Sequence, residues 1–144
     1  MRFRKLEAGD KETYFSLASA FYQSGAALHS VPIKNMENTF RELMARETYA
    51  ECWLCEEAGE AIGFLLVAKT FSQESGGMVT WIEELYLKPE YRGGGRGTEM
   101  IAFIEQHFPA SRFRLEAEPD NDKAIRLYKR LGYKELPYVQ YVKE

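Results

Sequence analysis

Apolar residues at helical spacing predict two helices in the first third of the chain. Tyr14, Leu17 and Phe21 recur three and four residues apart, as do Met36 and Phe40 further on, so each group lies on one helical face. The predicted elements are a strand over residues 2–6, a helix opened by Asp10 and ended by Ser24 and Gly25, a loop over residues 26–34, and a helix from Asn35 or Glu37 to Glu47.

The rest of the chain is dominated by strand-like patterns and then alternates between helix and strand. Strands are predicted over residues 49–56, 61–71 and 78–87, separated by a hairpin turn at 57–60 and a polar loop at 72–77. Helices are predicted over residues 98–108 and 121–131, the second capped by Gly132, and strands over residues 112–117 and 139–142. An antiparallel meander followed by a β-α-β unit predicts an α+β (mixed α/β) fold, with residues 1–144 as one domain.

The composition is that of an ordinary globular protein and narrows the function classes. Of 144 residues, 45% are hydrophobic and 28% are charged, and the net charge is -3. This mildly acidic balance argues against nucleic-acid binding and suits a cationic small molecule. The longest apolar run, residues 62–68, is too short to cross a bilayer, and residues 1–6 do not resemble a signal peptide. We therefore expect a cytoplasmic protein with no membrane partner.

Cys52 and Cys55 form a C-x-x-C pattern inside a predicted strand. Residues i and i+3 of a strand point to opposite faces, whereas a redox pair of this type usually opens a helix. A structural zinc site needs four ligands. We expect neither a metal site nor a redox site here.

The segment R-G-G-G-R-G, residues 92–97, lies between a predicted strand and a predicted helix. Glycines allow a tight turn and leave backbone N–H groups open to a ligand. The helix N-terminus adds free donors and partial positive charge, and Arg92 and Arg96 add full charges, so the segment suits a phosphate or pyrophosphate. Its spacing matches neither G-x-x-x-x-G-K-[ST] nor G-x-G-x-x-G, and a plain glycine-rich turn is the simpler alternative.

Two motifs in this half of the chain resemble those of the GCN5-related N-acetyltransferases (GNAT). Arg92, Gly95 and Gly97 form R-x-x-G-x-G, which resembles the family's pyrophosphate loop, and E-E-L-Y-L at residues 83–87 resembles the preceding strand. The pattern N-x-x-A-x-x-L-Y-x-x-L-G-Y at residues 121–133 resembles the second motif. The resemblance covers residues 78–133. It implies a GNAT-like fold, with a central twisted mixed sheet that is mostly antiparallel and flanked by helices.

The resemblance also implies transfer of an acetyl group from acetyl-CoA to a primary amine, without a metal. Backbone groups of Leu85 and Leu87 would hold the pantetheine arm, and one of their N–H groups would polarise the thioester carbonyl. Asn121 would contact the cofactor arm, although it is also a good helix N-cap. The implied cofactor-binding residues are Leu85, Tyr86, Leu87, Arg92, Gly93, Gly94, Gly95, Arg96, Gly97, Thr98 and Asn121.

The same resemblance makes Tyr128 the acid that protonates the leaving thiolate, although its place on an apolar helix face also fits a core aromatic residue. Arg96 departs from the family pattern, in which an aliphatic residue is usual. It would either reach a phosphate or lie along the surface.

A base is needed because only a neutral amine attacks the thioester. Glu83 matches the usual base position in acetyltransferases of polyamines and related small amines, and Glu84 is the alternative or a salt-bridge partner. Adjacent strand residues point to opposite faces, so at most one of them normally faces the site, and a surface charge pair is the simpler interpretation. His29 is a further candidate, whereas His107, at a helix C-terminus, needs no catalytic role.

We expect the acceptor pocket between the first two helices, their connecting loop and the loop at residues 72–77, with Tyr22, His29 and Asn35 as wall residues. The expected acceptor is a small polyamine-like or amino-acid-like amine. The alternatives are a protein N-terminus or lysine as acceptor, or a non-catalytic acyl-CoA-binding module. Dimers are common in the family, and the edge of the last strand, residues 138–143, would allow a homodimer.

Overall fold

The computed structural model describes residues 1–144 and contains one five-stranded sheet with four α-helices. The elements in chain order are β1 (Arg2–Lys5), α1 (Lys11–Gln23), α2 (Ile33–Ala45), β2 (Ala50–Glu57), β3 (Glu60–Ser72), β4 (Gly77–Leu87), α3 (Arg96–His107), β5 (Arg112–Leu115) and α4 (Asp122–Arg130), with single 3-10 turns at Ala8–Asp10 and Pro89–Tyr91. No helix has both the length and the apolar character needed to cross a bilayer. This is the mostly antiparallel α+β architecture that the sequence predicts.

The order of the strands in the sheet is the order in the chain, β1-β2-β3-β4-β5. The first four strands pair antiparallel, and α3 carries the chain back so that β5 runs parallel to β4. Pairing between β4 and β5 begins at Val79↔Arg112 and ends at Ile82↔Leu115. Because β4 continues to Leu87 without β5, its last residues border an opening in the sheet.

A β-bulge interrupts β4 where this opening begins. Leu66 of β3 pairs with Glu84, whereas Val67 pairs with Ile82, so Glu83 has no partner on β3. The extra residue changes the alternation of side chains along the strand. Ile82 packs into the core under α3, while Glu84 hydrogen-bonds to α1 on the opposite face of the sheet. Without the bulge, both side chains would lie on one face.

Each face of the sheet has its own hydrophobic core. α1 and α2 cover one face, and α3 covers the other. Cys52 belongs to the first core and Cys55 to the second, so the two thiols point to opposite faces as predicted. Both are free and buried, and burial raises the pKa of each. No group of three or more His, Cys, Asp or Glu side chains is arranged to hold a metal ion.

The start of α2 lies earlier than the sequence predicts. Ile33 is its first residue and Pro32 is its N-cap, with an extended ψ of 146°. Asn35, one of the predicted start points, already donates its N–H to Pro32 O at 2.9 Å. Proline interrupts the inside of a helix, but at a helix start its missing N–H costs no hydrogen bond. The predicted loop is therefore shorter at its C-terminal end.

The predicted last strand, residues 139–142, is wrong. Residues 134–144 have no regular secondary structure, and the exposed fractions of Tyr141 and Val142 are 94% and 84%. A strand requires a neighbour for its N–H and C=O groups, and the free side of β5 has none. The alternating pattern indicates that the segment could form a strand, but it does not supply a partner. The expected strand edge for pairing between subunits is therefore absent as well.

Candidate active site

A glycine-rich loop connects β4 to α3. Gly93, Gly94 and Gly95 have φ angles of 92°, 62° and 84°, in the left-handed region that favours glycine. Gly95 is the N-cap of α3, which begins at Arg96, two residues before the predicted start. The three consecutive glycines thus allow the chain to turn directly from the 3-10 turn after β4 into the helix.

The loop and the first turn of α3 contain a row of backbone N–H groups without acceptors. The N–H of Arg96 donates to Gly93 O at 3.3 Å, and that of Glu99 donates to Gly95 O at 3.0 Å. The N–H groups without a backbone acceptor belong to Gly93, Gly94, Gly95, Gly97 and Thr98. Unpaired donors at a helix N-terminus, together with the helix dipole, attract an anion.

The two arginines of this segment have different partners. Arg92 Nε donates to Leu87 O at 2.9 Å, and its guanidinium lies 5.6 Å from the centre of the Tyr86 ring. Arg96 Nη2 lies 2.9 Å from both carboxylate oxygens of Glu57. Arg92 is therefore held beside the open end of β4, whereas Arg96 joins the start of α3 to the β2–β3 turn. The sequence did not predict this ion pair of Arg96.

A cleft of about 530 Å³ lies at the opening between β4 and β5. Its walls are the α1–α2 loop, the end of β4, the first turns of α3, and α4. The predicted site residues that line it are Leu85, Tyr86, Leu87, Arg92, Gly97, Asn121 and Tyr128. The predicted site residues that do not line it are Glu83, Gly93, Gly94, Gly95, Arg96 and Thr98.

Some residues of this cleft were not predicted to belong to it. Residues 24–28 of the α1–α2 loop form part of its wall, although the sequence assigned this loop to the acceptor pocket. Ala124 and Leu127 also line it, and their helical spacing from Asn121 and Tyr128 could have identified them. No local signal could have identified the loop, because its approach to β4 is a tertiary contact.

The end of β4 directs backbone groups into the cleft. The N–H of Lys88 donates to Ile62 O of β3 at 2.8 Å. Successive residues of a strand direct their N–H groups to opposite sides. The N–H groups of Leu85 and Leu87 therefore point away from β3, towards the side where β5 has ended.

Asn121 begins α4 at the edge of the cleft. Its Oδ1 accepts a hydrogen bond from the N–H of Ala124 at 3.3 Å, which is the predicted N-cap interaction. The side-chain NH₂ group has no partner. α3 and α4 approach closely here, since a methyl group on Gly97 would lie 2.9 Å from Leu127 Cδ2. A side chain at this position would require the end of the Leu127 side chain to move.

Tyr128 lies between two clefts. It lines the 530 Å³ cleft and also a larger cleft of about 900 Å³, which is bounded by β5, α4 and the C-terminal segment. Its ring packs against the core under α3. Burial raises the pKa of its hydroxyl, so the phenol keeps its proton at neutral pH. The side chain thus has both a packing role and a place in the walls of the two clefts.

Glu83 stands at the bulge and is exposed. Partial burial of its carboxyl and the negative charge of Glu116 raise its pKa. Glu116 directly follows Leu115, the last β5 residue that pairs with β4. The two carboxylates therefore lie near each other where the strands separate.

Glu84 is buried, with only 9% of the residue exposed. The hydroxyl of Tyr22 donates to its Oε1 at 2.5 Å, while its Oε2 is buried without a hydrogen-bond partner. Burial raises the pKa of the carboxyl to about 7, although the hydrogen bond from Tyr22 opposes this rise. Glu83 adds to it through its charge. Glu84 is therefore a carboxyl that titrates near neutral pH.

The other candidates from the sequence lie outside the two clefts. Tyr22, His29 and Asn35 line neither of them, and the same holds for Glu84 and for the β3–β4 loop at residues 72–77. His107 lies in the last turn of α3, at the end far from the glycine loop, and packs against Trp53 and Phe103.

A protein-family model described as the acetyltransferase (GNAT) family matches residues 12–133. Thialysine N-epsilon-acetyltransferase of Sus scrofa is 42% identical over 59 residues, which are 39% of this chain and 35% of that protein. Spermine/spermidine N(1)-acetyltransferase of Bacillus subtilis is 26% identical over 81 residues, 52% of this chain and 53% of that protein. The chain thus spans about half, or less, of the length of these curated relatives.

The solved structure of AAC(6')-Iy, in complex with the bisubstrate analogue CoA-S-monomethyl-acetylneamine, has the same fold. Its TM-score is 0.80 at 16% identity, over 99% of this chain and 97% of that chain. The family match covers the glycine loop, the opening of the sheet and α4, and extends over most of the chain. The chain belongs to the acetyltransferase (GNAT) family.

Proposed function

We propose that residues 1–144 act as one N-acetyltransferase domain, which transfers the acetyl group of acetyl-CoA to the primary amine of a small cationic acceptor. One observation carries the proposal. The cleft at the opening between β4 and β5 is lined by Leu85 and Leu87, whose N–H groups have no strand partner, and by Arg92, Gly97 and Tyr128. Membership of the family supplies the class of reaction.

The residues at the opening fit the parts of CoA. The free N–H groups of the glycine loop and the charge of Arg92 suit the pyrophosphate. The N–H groups of Leu85 and Leu87 are free to pair with the amides of the pantetheine arm, as an added strand would. The unpaired NH₂ of Asn121 offers a further donor. Arg96 would contribute only after leaving its ion pair with Glu57.

When bound, acetyl-CoA supplies an activated acetyl group as a thioester. The amine nitrogen forms a bond to the acyl carbon, the C–S bond breaks, and the electron pair stays on sulfur. The N–H of Leu85 or Leu87 donates to the carbonyl oxygen, where negative charge develops. Tyr128 donates its phenolic proton to the sulfur and later regains a proton from solvent.

Acidic side chains near the opening favour a cationic acceptor. Glu83 and Glu116 lie close together where β4 and β5 separate, and the net charge of the chain is -3. The relatives are named for acetylating thialysine, spermine and spermidine, which supports a small amine here. Glu83, which is exposed at the opening, and Glu84, which is buried, are the two candidates to accept the ammonium proton.

Calorimetry with acetyl-CoA and acetyl-pantetheine tests the cofactor assignment. Acetyl-pantetheine lacks the pyrophosphate, so it is expected to bind at least about tenfold more weakly, a loss of about 1.4 kcal/mol. Thiol release is then measured with spermidine, thialysine and a lysine peptide. Failure of acetyl-CoA to bind the folded protein would refute the proposal. Binding without transfer to any amine would favour a non-catalytic module, and transfer to the peptide alone would favour a protein acceptor.

Tyr128→Phe tests the acid. It is expected to lower kcat by about 10²-fold, since general acid catalysis typically contributes at least that factor, with little change in the Kd of acetyl-CoA. Tyr138→Phe is the matched control, because Tyr138 is exposed and its hydroxyl contacts Glu74. An unchanged kcat in Tyr128→Phe would remove Tyr128 from the mechanism.

A further inference from the structure

Tyr22 and Glu84 form a hydrogen-bonded pair between α1 and β4, and Tyr22 has no role in the reaction above. We propose that the pair acts as one proton-accepting unit for the acceptor amine. Tyr22 Oη takes a proton from the ammonium while the phenolic proton of Tyr22 passes to Glu84 Oε1. This inference rests on the proposed acetyl transfer and assigns its base.

The fold directs Glu84 away from solvent and towards α1. Cys52 of β2 pairs with Leu66 of β3, and Leu66 pairs with Glu84, so the three residues form a row across the sheet. Cys52 and Leu66 both belong to the core that α1 covers. The carboxyl of Glu84 therefore enters an apolar core, where the hydroxyl of Tyr22 is its hydrogen-bond donor.

One oxygen of this carboxyl has no partner. Glu84 Oε2 is buried and accepts no hydrogen bond, while Oε1 takes the proton of Tyr22 at 2.5 Å. An unsatisfied buried carboxylate oxygen destabilises a fold, and an apolar side chain would pack in its place without that cost. Glu84 is thus a carboxyl that can gain a proton and whose negative charge does not stabilise the fold.

Tyr22 is placed between this carboxyl and the chain segment that lines the cleft, although neither Tyr22 nor Glu84 lines the cleft itself. Tyr22 lies in the last turn of α1, and residues 24–28 directly after α1 line the 530 Å³ cleft. Tyr22 is half-buried, whereas Glu84 is buried. Of the pair, Tyr22 is therefore the more accessible to an amine that enters beside the α1–α2 loop. The exposed Glu83 remains available to hold the cation by its charge.

The surroundings of Glu84 fit a base that works near neutral pH. The titratable groups facing it are Tyr14 and Tyr22 of α1, Cys52 of β2, and Glu83 of its own strand. Burial raises the pKa of Tyr14, Tyr22 and Cys52, so these three keep their protons. Glu84, with a pKa of about 7, is ionised above that pH and ready to accept a proton.

The proton balance of the step is complete without another reactant. The ammonium loses one proton to Tyr22 Oη, and Glu84 gains the proton that Tyr22 releases. Tyr22 stays neutral throughout, so no phenolate has to form in the core. Glu84 returns the proton to solvent through Tyr22 after the product leaves.

The test compares Tyr22→Phe, Glu84→Gln and the double variant. Each single change is expected to lower kcat/KM by about 10²-fold, the usual contribution of a general base. The double variant should lose no more than either single one, because the two groups act as a unit. The fall of kcat/KM below pH 7 in the unaltered protein should disappear in the variants. Tyr138→Phe should leave both the rate and the pH profile unchanged.

Three results would overturn the inference. A Tyr22→Phe protein with normal kcat/KM and a normal pH profile would exclude the relay. Loss of the acidic limb in Glu83→Gln instead would make Glu83 the base. Carbon-13 NMR of the Glu84 carboxyl measures its pKa independently of activity. A pKa near 4.5 would leave the carboxyl ionised throughout the pH range around 7 and would exclude it as the group that titrates there. If the unaltered protein binds acetyl-CoA but acetylates no amine, the proposed function fails, which is distinct from these results.

Discussion

Glu83 and Glu84 are the same residue type in adjacent positions, yet their carboxyls have different surroundings. Glu83 is exposed at the bulge and near Glu116, whereas Glu84 is buried against Tyr22. Either could be a base from its chemistry alone. The low polarity around Glu84 makes its charged form costly, so its pKa lies near 7. The surroundings of the two carboxyls, and not their chemistry, therefore distinguish Glu83 from Glu84 as candidate bases.

Glu84→Gln is expected to stabilise the protein at pH 8 but not at pH 4. The folded-state pKa, about 7, lies above the ordinary value of 4.5, so the folded state binds the proton more tightly. The bound proton therefore contributes to the stability of the folded state below pH 4.5, and this contribution is lost as the pH rises through 7. Since glutamine carries no charge, the gain at pH 8 should reach about 3 kcal/mol, at 1.36 kcal/mol per pKa unit.

Urea unfolding at the two pH values measures this difference. Glu37→Gln is the control, because Glu37 is exposed on α2 and should show no such pH-dependent gain. Equal stability changes for Glu84→Gln at both pH values would contradict a raised pKa of Glu84.

At the scale of elements, the junction of β4 and α3 concentrates the features that would hold the cofactor. β4 extends beyond the last residue that pairs with β5, so the N–H groups of Leu85 and Leu87 have no neighbouring strand to bond to. The glycine loop then turns straight into α3 and leaves its own N–H groups free. The ion pair of Arg96 with Glu57 fixes the start of α3 to the β2–β3 turn. The donors are thus held in place before a ligand arrives, which lowers the entropic cost of binding.

Gly95→Asp is expected to weaken acetyl-CoA binding by more than about tenfold, through the loss of 1.4 kcal/mol or more. The change places a negative charge beside the free N–H groups, at a φ of 84°. Aspartate tolerates this left-handed conformation better than most residues, so the protein should still fold. Gly76→Asp is the matched control, since Gly76 also has a positive φ, 73°, and open space but lies in the β3–β4 turn. Calorimetry on both variants checks the prediction, and normal binding by folded Gly95→Asp would show that the loop is only a turn.

At the scale of the whole molecule, the hydrophobic cores on the two faces of the sheet support different parts of the candidate site. The core under α3 supports the glycine loop and α4, and the core under α1 and α2 encloses Glu84. The opening between β4 and β5 is where the two sides meet. The C-terminal segment contributes little packing, since most of its apolar residues are exposed.

Deletion of residues 139–144 is expected to change the free energy of unfolding by less than about 0.5 kcal/mol, as for most changes to exposed segments. The affinity for acetyl-CoA should also stay the same, because none of these residues lines the 530 Å³ cleft. Urea unfolding and calorimetry measure the two quantities. A loss of several kcal/mol would mean that the segment pairs with a strand in solution, and light scattering would show whether that strand belongs to a second copy.

The sequence by itself determined the four helices, the five strands to within two residues at each end, and the glycine loop. These features depend on the spacing of neighbouring side chains and on the left-handed freedom of glycine, which are local properties. The tertiary structure decided which side chains meet. The bulge at Glu83 sends Ile82 and Glu84 to opposite faces, and only the packing of α1 on that sheet brings Tyr22 to Glu84.

The pair of Arg96 and Glu57 and the absence of a last strand have the same origin. Each depends on the position of a partner far away in the chain: the β2–β3 turn beside α3 in one case, and a missing neighbour for β5 in the other. A local pattern specifies what a segment can form, whereas the register of the sheet and the packing of the helices determine what it contacts.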